Sequence, residues 1–362
     1  MLLTLATAAA GLIMRPSARA SSLASTTNHR CSVKATATET PLASLLELAD
    51  QYDAFLLDQF GVIHDGKTAY DGAVEAVSAL QRLKKKIVII SNSSRRKSDT
   101  LARLRAMGFG PLEDDAEASD VPPISVVTSG DLVWEGLSAA NAPPFADLGL
   151  RCTVFGNGDD DESYVRTCGR VAVPIEQADF ILARGLFTML GTGPDLLRNP
   201  FSDYSAEAEE EALRAALARA PGGLPLLVAN PDTVRPDGKD SPMPGLLAAR
   251  YAAMGAADVR LVGKPHALIY EACRAQLLSA GLQPGEARVA AVGDSLHHDV
   301  LGAAANDLDS VFICGGVHCR ELGVPQAAAV PPTAEALRAL LDGFAAEHRG
   351  CAPTHALAGF RL

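Results

Sequence analysis

From residue 48 onward, short, largely apolar runs alternate with longer stretches whose apolar residues recur every three or four positions. The runs at 54–57, 87–90, 125–128, 259–262, 289–292 and 311–314 have strand length. The stretches 72–86, 97–107 and 131–140 have helical spacing; in the first, Val74, Val77, Leu80 and Leu83 share one face. Nearly continuous apolar strands alternating with helices are the pattern of a parallel sheet covered on both faces. The chain is therefore expected to be an α/β protein with a Rossmann-like parallel core. The middle reads differently. Runs at 151–155, 180–183 and 226–229 surround a Gly- and Pro-containing loop and an acidic helix at 206–218, which predicts a smaller inserted α/β domain. The expected division is core at 48–150 and 230–345, insert at 151–229 and a C-terminal tail at 346–362.

Residues 1–38 contain no Asp or Glu but carry Arg15, Arg19, Arg30 and Lys34 among Ala, Ser and Thr. That composition predicts an organellar transit peptide over 1–36, with the chloroplast stroma as destination and the mitochondrion as the alternative. A secretory signal competes, because residues 1–14 are largely apolar and Ala18-Arg19-Ala20 has a small-residue cleavage pattern. Apolar residues make up 48% of the 362, enough for a sizeable core, and the formal net charge is −11. An acidic chain argues against nucleic acid as a partner, and no stretch is long and apolar enough to suggest a membrane partner. An anionic ligand would need a local positive site built against the protein's own field. The seven cysteines show no CxxC spacing and are read as reduced, buried thiols.

Chemistry is sought at the carboxyl ends of parallel strands. Four such ends deliver polar groups: Asp58-Gln59-Phe60-Gly61, Ser91-Asn92-Ser93-Ser94, Gly263-Lys264-Pro265 and Gly293-Asp294-Ser295 with Asp299 beyond. One Asp after one strand is an ordinary turn residue. Four polar ends in one parallel sheet describe a phosphoryl-transfer site. Asp58 is the carboxylate nucleophile. Asp58 and Asp294 are too close to ionise together without a cation, and a hard Mg²⁺ with oxygen ligands relieves that repulsion. Lys264 neutralises Asp58 and a phosphate oxygen, while Ser91 and the main-chain N–H of Asn92 bind further oxygens.

In order and residue type these four segments resemble the motifs of the haloacid dehalogenase-like hydrolase superfamily. Thr128-Ser129-Gly130, Ala229-Asn230-Pro231-Asp232 and Gly263-Lys264-Pro265-His266 resemble its class IIA branch, in which an α/β cap is inserted between the second and third motifs. The resemblance implies Asp58 as nucleophile and Lys264 as the third-motif lysine. It implies Ser91 and Asn92 at the phosphate, and Asp58, Asp294, Asp299 and the Phe60 carbonyl at magnesium. Asn230 and Asp232 fall where the branch places a substrate-facing loop. It also implies a small phosphorylated metabolite as substrate and pairing of two chains through the cap.

One position departs. Phosphatases of the superfamily carry Asp two residues after the nucleophile, and here that residue is Phe60. Its carbonyl can still face a metal, but its side chain can neither protonate a leaving oxygen nor activate water. Phe60 is instead a candidate platform for an apolar part of the substrate. His64, six residues after Asp58, is the candidate replacement acid–base. Arg95 and Arg96 follow the phosphate loop, one of them a candidate clamp. The expected function is Mg²⁺-dependent hydrolysis of phosphate esters or anhydrides through an aspartyl phosphate, slow or restricted in substrate. The alternative is a catalytically weakened protein that binds a phosphometabolite or regulates.

Overall fold

The computed structural model describes residues 44–115, 119–158, 160–190, 206–233, 242–283, 285 and 287–362. The transit segment expected at 1–36 lies outside them. Among the described residues no helix is long and apolar enough to cross a membrane.

Two sheets organise the chain. The first holds six parallel strands in the order β12-β11-β10-β1-β2-β3. These are β1 (Ala54–Leu57), β2 (Lys86–Ser91), β3 (Ile124–Thr128), β10 (Val289–Gly293), β11 (Asp309–Ile313) and β12 (His355–Leu357). All four residues of β1 and five of the six in β2 are buried, which is why they read as unbroken apolar runs. Phe55, Leu57, Ile87 and Ile89 belong to one hydrophobic cluster, while Ala54, Leu56, Val88 and Ile90 belong to another. Alternate side chains thus fill the two faces, as the pleat requires. Helix α2 (Ala73–Arg82) covers the first face with Ala73, Ala76, Val77 and Leu80. Helices α3 (Lys97–Ala106) and α4 (Ser129–Ala139) follow β2 and β3.

The second sheet has the order β5-β4-β6-β8-β9, with β7 antiparallel on the free part of the β4 edge. Its strands are β4 (Arg151–Gly156), β5 (Val171–Ala172), β6 (Phe180–Ala183), β7 (Thr188–Leu190), β8 (Leu226–Val228) and β9 (Val259–Leu261). It is the inserted domain, lying between the second and third motif segments as the resemblance implied.

Two boundaries differ from the expectation. The core does not resume at 230: β9 pairs with β8, with Leu226 opposite Val259, so the insert runs on through α7 (Pro244–Ala253) to Gly263. A short apolar strand ending in Gly carries no mark of which sheet it joins. Nor is 346–362 a tail. Helix α10 runs Ala334–Glu347, and β12 closes the core sheet by pairing Val311 with His355 and Ile313 with Leu357. The core also begins before 48, where Leu45 is wholly buried.

In the core, β1, β2 and β3 proceed one way from the centre, and β10, β11 and β12 the other. The sheet order therefore reverses between β1 and β10, and the crevice at their carboxyl ends is where an open α/β sheet binds its ligand.

Candidate active site

Asp58 leaves β1 and Asp294 leaves β10, adjacent strands with Leu57 opposite Val292. Lys264, at the end of β9, reaches across from the insert. Its ammonium lies 2.8 Å from Asp58 Oδ1 and 2.7 Å from Asp299 Oδ1. One carboxylate oxygen from each of Asp58, Asp294 and Asp299 falls within 4.8 Å of the others. The main chain holds the cluster in place. The Val317 N–H donates to Asp294 Oδ2 at 2.7 Å, and the Ser295 N–H to Asp299 Oδ2 at 3.0 Å. Gly61 sits at φ +79°, and a Cβ there would lie 1.8 Å from Asp294 Oδ2. Only glycine allows the chain to turn this close to the carboxylate.

Burial pushes the Asp58 carboxyl up to about 7; the Lys264 charge opposes this and Asp299 adds to it. Asp294 is raised well above the usual carboxylate range by burial, then by Asp58 and Asp299. Burial works against the Lys264 charge, but Asp299 and Asp58 outweigh it and keep the ammonium protonated. Three carboxylates thus face one ammonium, so the site lacks positive charge and its donors are all oxygen. That donor set fits a hard divalent cation, not a thiophilic one.

Ser91 and Asn92 end β2 beside this cluster, both buried. The Asn92 amide is fully engaged. Its Oδ1 accepts the Lys264 N–H at 2.6 Å, and its Nδ2 donates to the Lys264 carbonyl at 3.1 Å and to Asp232 Oδ1 at 2.8 Å. The side chain braces Lys264, leaving the main-chain N–H for an anion. Asn230 and Asp232, after β8, line the same cleft, and Asn230 Oδ1 accepts the Asp232 N–H. The cleft has a volume of about 1110 Å³; Asp58, Phe60, Ser91, Lys264, Asp294 and Asp299 line it.

His64 is placed against its expected role. It is buried and absent from the cleft lining. The Gly66 N–H donates to its Nδ1 at 3.1 Å, so the neutral ring carries its proton on Nε2, 3.2 Å from Gln59 Oε1. Both nitrogens are used inside the turn, and Phe60 stacks edge-on over the ring at 4.9 Å. A Cβ at Gly66 would meet the Phe60 ring at 2.6 Å, so this glycine makes room for the aromatic. His64 is a structural pin of the loop bearing Phe60, not a substitute acid–base.

Burial lowers His64 from 6.5 to about 4. The unfolded chain takes up this proton as pH falls through 6.5, and the folded chain does so only near 4. Stability present above that window is lost within it, by about 3 kcal/mol. Urea unfolding of wild type and His64→Gln at pH 7 and pH 4 should show the wild type losing that much more than the variant. An equal loss in both would overturn this placement.

The two arginines after the phosphate loop separate. Arg95 lines the cleft. Arg96 is taken by Asp131 at 2.6 Å and lies over the Trp134 ring. A residue that sequence reasoning passed over is Arg184, at the carboxyl end of β6. It is wholly buried, donating to Asp161 Oδ1 at 2.5 Å, Asp160 Oδ2 at 2.7 Å and the Ser94 carbonyl at 3.2 Å. Its signal was available: a lone cation between an apolar strand and Gly185. Cys152, Cys168, Cys273, Cys314 and Cys319 are all buried, in line with the reading of the thiols.

A carboxylate–lysine cluster thus sits at the switch point of a parallel α/β sheet that carries an inserted α/β domain. The family model described as haloacid dehalogenase-like hydrolase matches residues 55–170, and a second, described as HAD-hydrolase-like, matches 261–340. This chain belongs to the haloacid dehalogenase-like hydrolase superfamily. It is 26% identical over 275 residues to a D-glycerol 3-phosphate phosphatase of Mycobacterium tuberculosis, covering 75% of this chain and 65% of that protein's length. It is 27% identical over 280 residues to human chronophin, covering 76% and 85%. The crystal structure of a haloacid dehalogenase-like hydrolase from Brucella suis 1330 superimposes with a TM-score of 0.62 at 25% identity, covering 88% of this chain and 98% of that one.

Proposed function

We propose that this chain is a divalent-metal-dependent phosphatase acting through an aspartyl phosphate on Asp58, with Mg²⁺ as the ion. One observation carries the reading: the Lys264 ammonium ties Asp58 to Asp299 beside Asp294, at the floor of a cleft. The likeness to a D-glycerol 3-phosphate phosphatase supports a small phosphate ester as substrate. Asp58 and Asp294 would hold the ion with the Phe60 carbonyl; Asp299, engaged by Lys264 and Ser295, would complete the negative cluster. When bound, the ion would neutralise the carboxylates and the phosphoryl oxygens.

Asp58 Oδ attacks phosphorus, and the bond from phosphorus to the leaving oxygen breaks. Lys264, Ser91 through its hydroxyl and the main-chain N–H of Asn92 take up charge on the other oxygens. Water then attacks the aspartyl phosphate, which frees phosphate and restores Asp58. Phe60 offers no proton to the leaving oxygen, so good leaving groups, aryl phosphates and anhydrides, are favoured over alkyl esters. A chloroplast destination remains part of this reading and rests on the composition of residues 1–36 alone.

Phosphate release from p-nitrophenyl phosphate in Mg²⁺ should be abolished in Asp58→Asn. Mg²⁺ alone should raise the melting temperature of the wild type, by an amount equivalent to roughly 3 kcal/mol at a hundredfold excess over its dissociation constant. The rise should grow with pH, since Asp58 and Asp294 must release protons first, and should vanish in Asp294→Asn. Phe60 is the observation that favours the second reading, a phosphometabolite-binding or regulatory protein. A metal-dependent stabilisation without release from any ester would select it.

A further inference from the structure

The cleft holds more cations than one phosphate on Asp58 requires. Lys264 is committed to Asp58 and Asp299. Arg95, Arg103 and Lys67 line the same cleft. None of the three forms an ion pair among the described residues, and Arg95 lies close enough to Arg103 to add to the effect of burial in lowering it. Their sequence neighbours behave otherwise. Arg96 is paired with Asp131, and Arg105 with Asp114 and Asp115 at 2.6 and 2.7 Å. In a chain of net charge −11 carboxylates are in surplus, yet among the described residues none lies at ion-pair distance from these three side chains, and Asp99 on α3 only partly offsets the repulsion on Arg103. Unpaired like charges facing one cavity repel each other until an anion enters. They sit on three separate segments: Lys67 on the Phe60 loop, Arg95 on the phosphate loop and Arg103 on α3.

We propose that Arg95, Arg103 and Lys67 form a second anion subsite, so that the substrate is a phosphomonoester with a further anionic group, a phosphate or a carboxylate, remote from the scissile phosphate. The proposal rests on the reading that the first phosphate sits at Asp58. Phe60 lines the same cleft and offers an apolar surface to the body of such a substrate.

The test uses the full chain with Mg²⁺ and matched aryl probes: phenyl phosphate, para-carboxyphenyl phosphate and para-phenylene bisphosphate, with the same end groups repeated on a biphenyl spacer. At least one probe with a second anion should show a KM roughly tenfold below its monoanionic counterpart, with the advantage shrinking as salt is raised. Arg103→Gln should remove most of that advantage and Arg103→Glu should reverse it, whereas Arg105→Gln should keep it. A larger advantage for the bisphosphate or for the carboxylate identifies which anion the subsite takes. Asp58-dependent release with no second-anion advantage overturns the subsite and leaves the phosphatase reading standing. If no probe is hydrolysed, calorimetry on Asp58→Asn decides. Tenfold tighter, Arg103-dependent binding of a second-anion probe would uphold the subsite while the phosphatase reading fails; equal binding of all probes overturns it.

Discussion

Phe60→Asp should raise turnover of an alkyl phosphate such as glycerol 3-phosphate by roughly 10²–10⁴-fold, the usual contribution of a positioned acid–base. That equals about 3–5 kcal/mol of barrier. The side chain at 60 already lines the cleft two residues beyond Asp58, next to the turn at Gly61 that passes close against Asp294. A carboxyl placed beside the buried Asp58 and Asp294 would have a raised pKa and so be protonated when the ester bond breaks. It could then give its proton to the leaving oxygen and afterwards take one from the attacking water. The gain should be much smaller for p-nitrophenyl phosphate, whose leaving group departs without a proton. Comparing kcat for the two esters in wild type and variant tests this. Equal gains, or loss of native activity, would mean that Phe60 serves a chemistry of its own.

The ring has a second consequence that only the folded loop reveals. Phe60, His64 and Gly66 pack as one unit, with His64 holding the Gly66 N–H and Phe60 filling the space that Gly66 leaves open. Sequence spacing brought a titratable histidine near the nucleophile. It held no information on ring direction, because direction is set by hydrogen bonds made two and five residues away.

What was legible follows from what local pattern encodes. Asp58, Ser91, Asn92, Lys264 and Asp294 each end a strand, and apolar runs mark strand ends well. For the core residues Asp58, Ser91, Asn92 and Asp294 convergence needed only the rule that parallel sheets collect their carboxyl ends on one side; Lys264 follows β9 of the second sheet and reaches the site from the insert. Sheet membership was not legible. Residues 259–261 carry the same pattern as the core strands, and only their pairing with β8, with Leu226 opposite Val259, places them in the insert. The three-residue β12 is too short to stand out from a loop. The engaged Asn92 amide was hidden for a related reason: its partners Asp232 and Lys264 are 140 and 172 residues distant.

Arg184→Met should cost roughly 3–5 kcal/mol, the range for removing one partner of a buried ion pair. The reason is what stays behind. Without the guanidinium the almost fully buried Asp161 faces a low-dielectric interior with the Gly158 N–H and Thr188 hydroxyl contacts, while Asp160, about a quarter exposed, reaches solvent. The Tyr164 ring, 3.7 Å from the guanidinium carbon, loses its cation as well. A melting temperature lower by about 6–20 °C is expected. Arg184→Lys keeps the charge but not the planar fork that serves two carboxylates and a carbonyl together, so its loss should be intermediate. Arg184→Met combined with Asp161→Asn should recover part of the loss, because the second change removes the stranded charge. The same arginine anchors the phosphate loop: it donates to the Ser94 carbonyl while Asn157 of the insert donates to Ser94 Oγ at 2.8 Å. Assayed below its melting temperature, Arg184→Met should therefore raise KM for a phosphate ester more than it lowers kcat. A variant that melts within about 2 °C of wild type would show that the Asp160–Asp161–Arg184 cluster does not hold the insert together, and an unchanged KM would show that it does not position the loop.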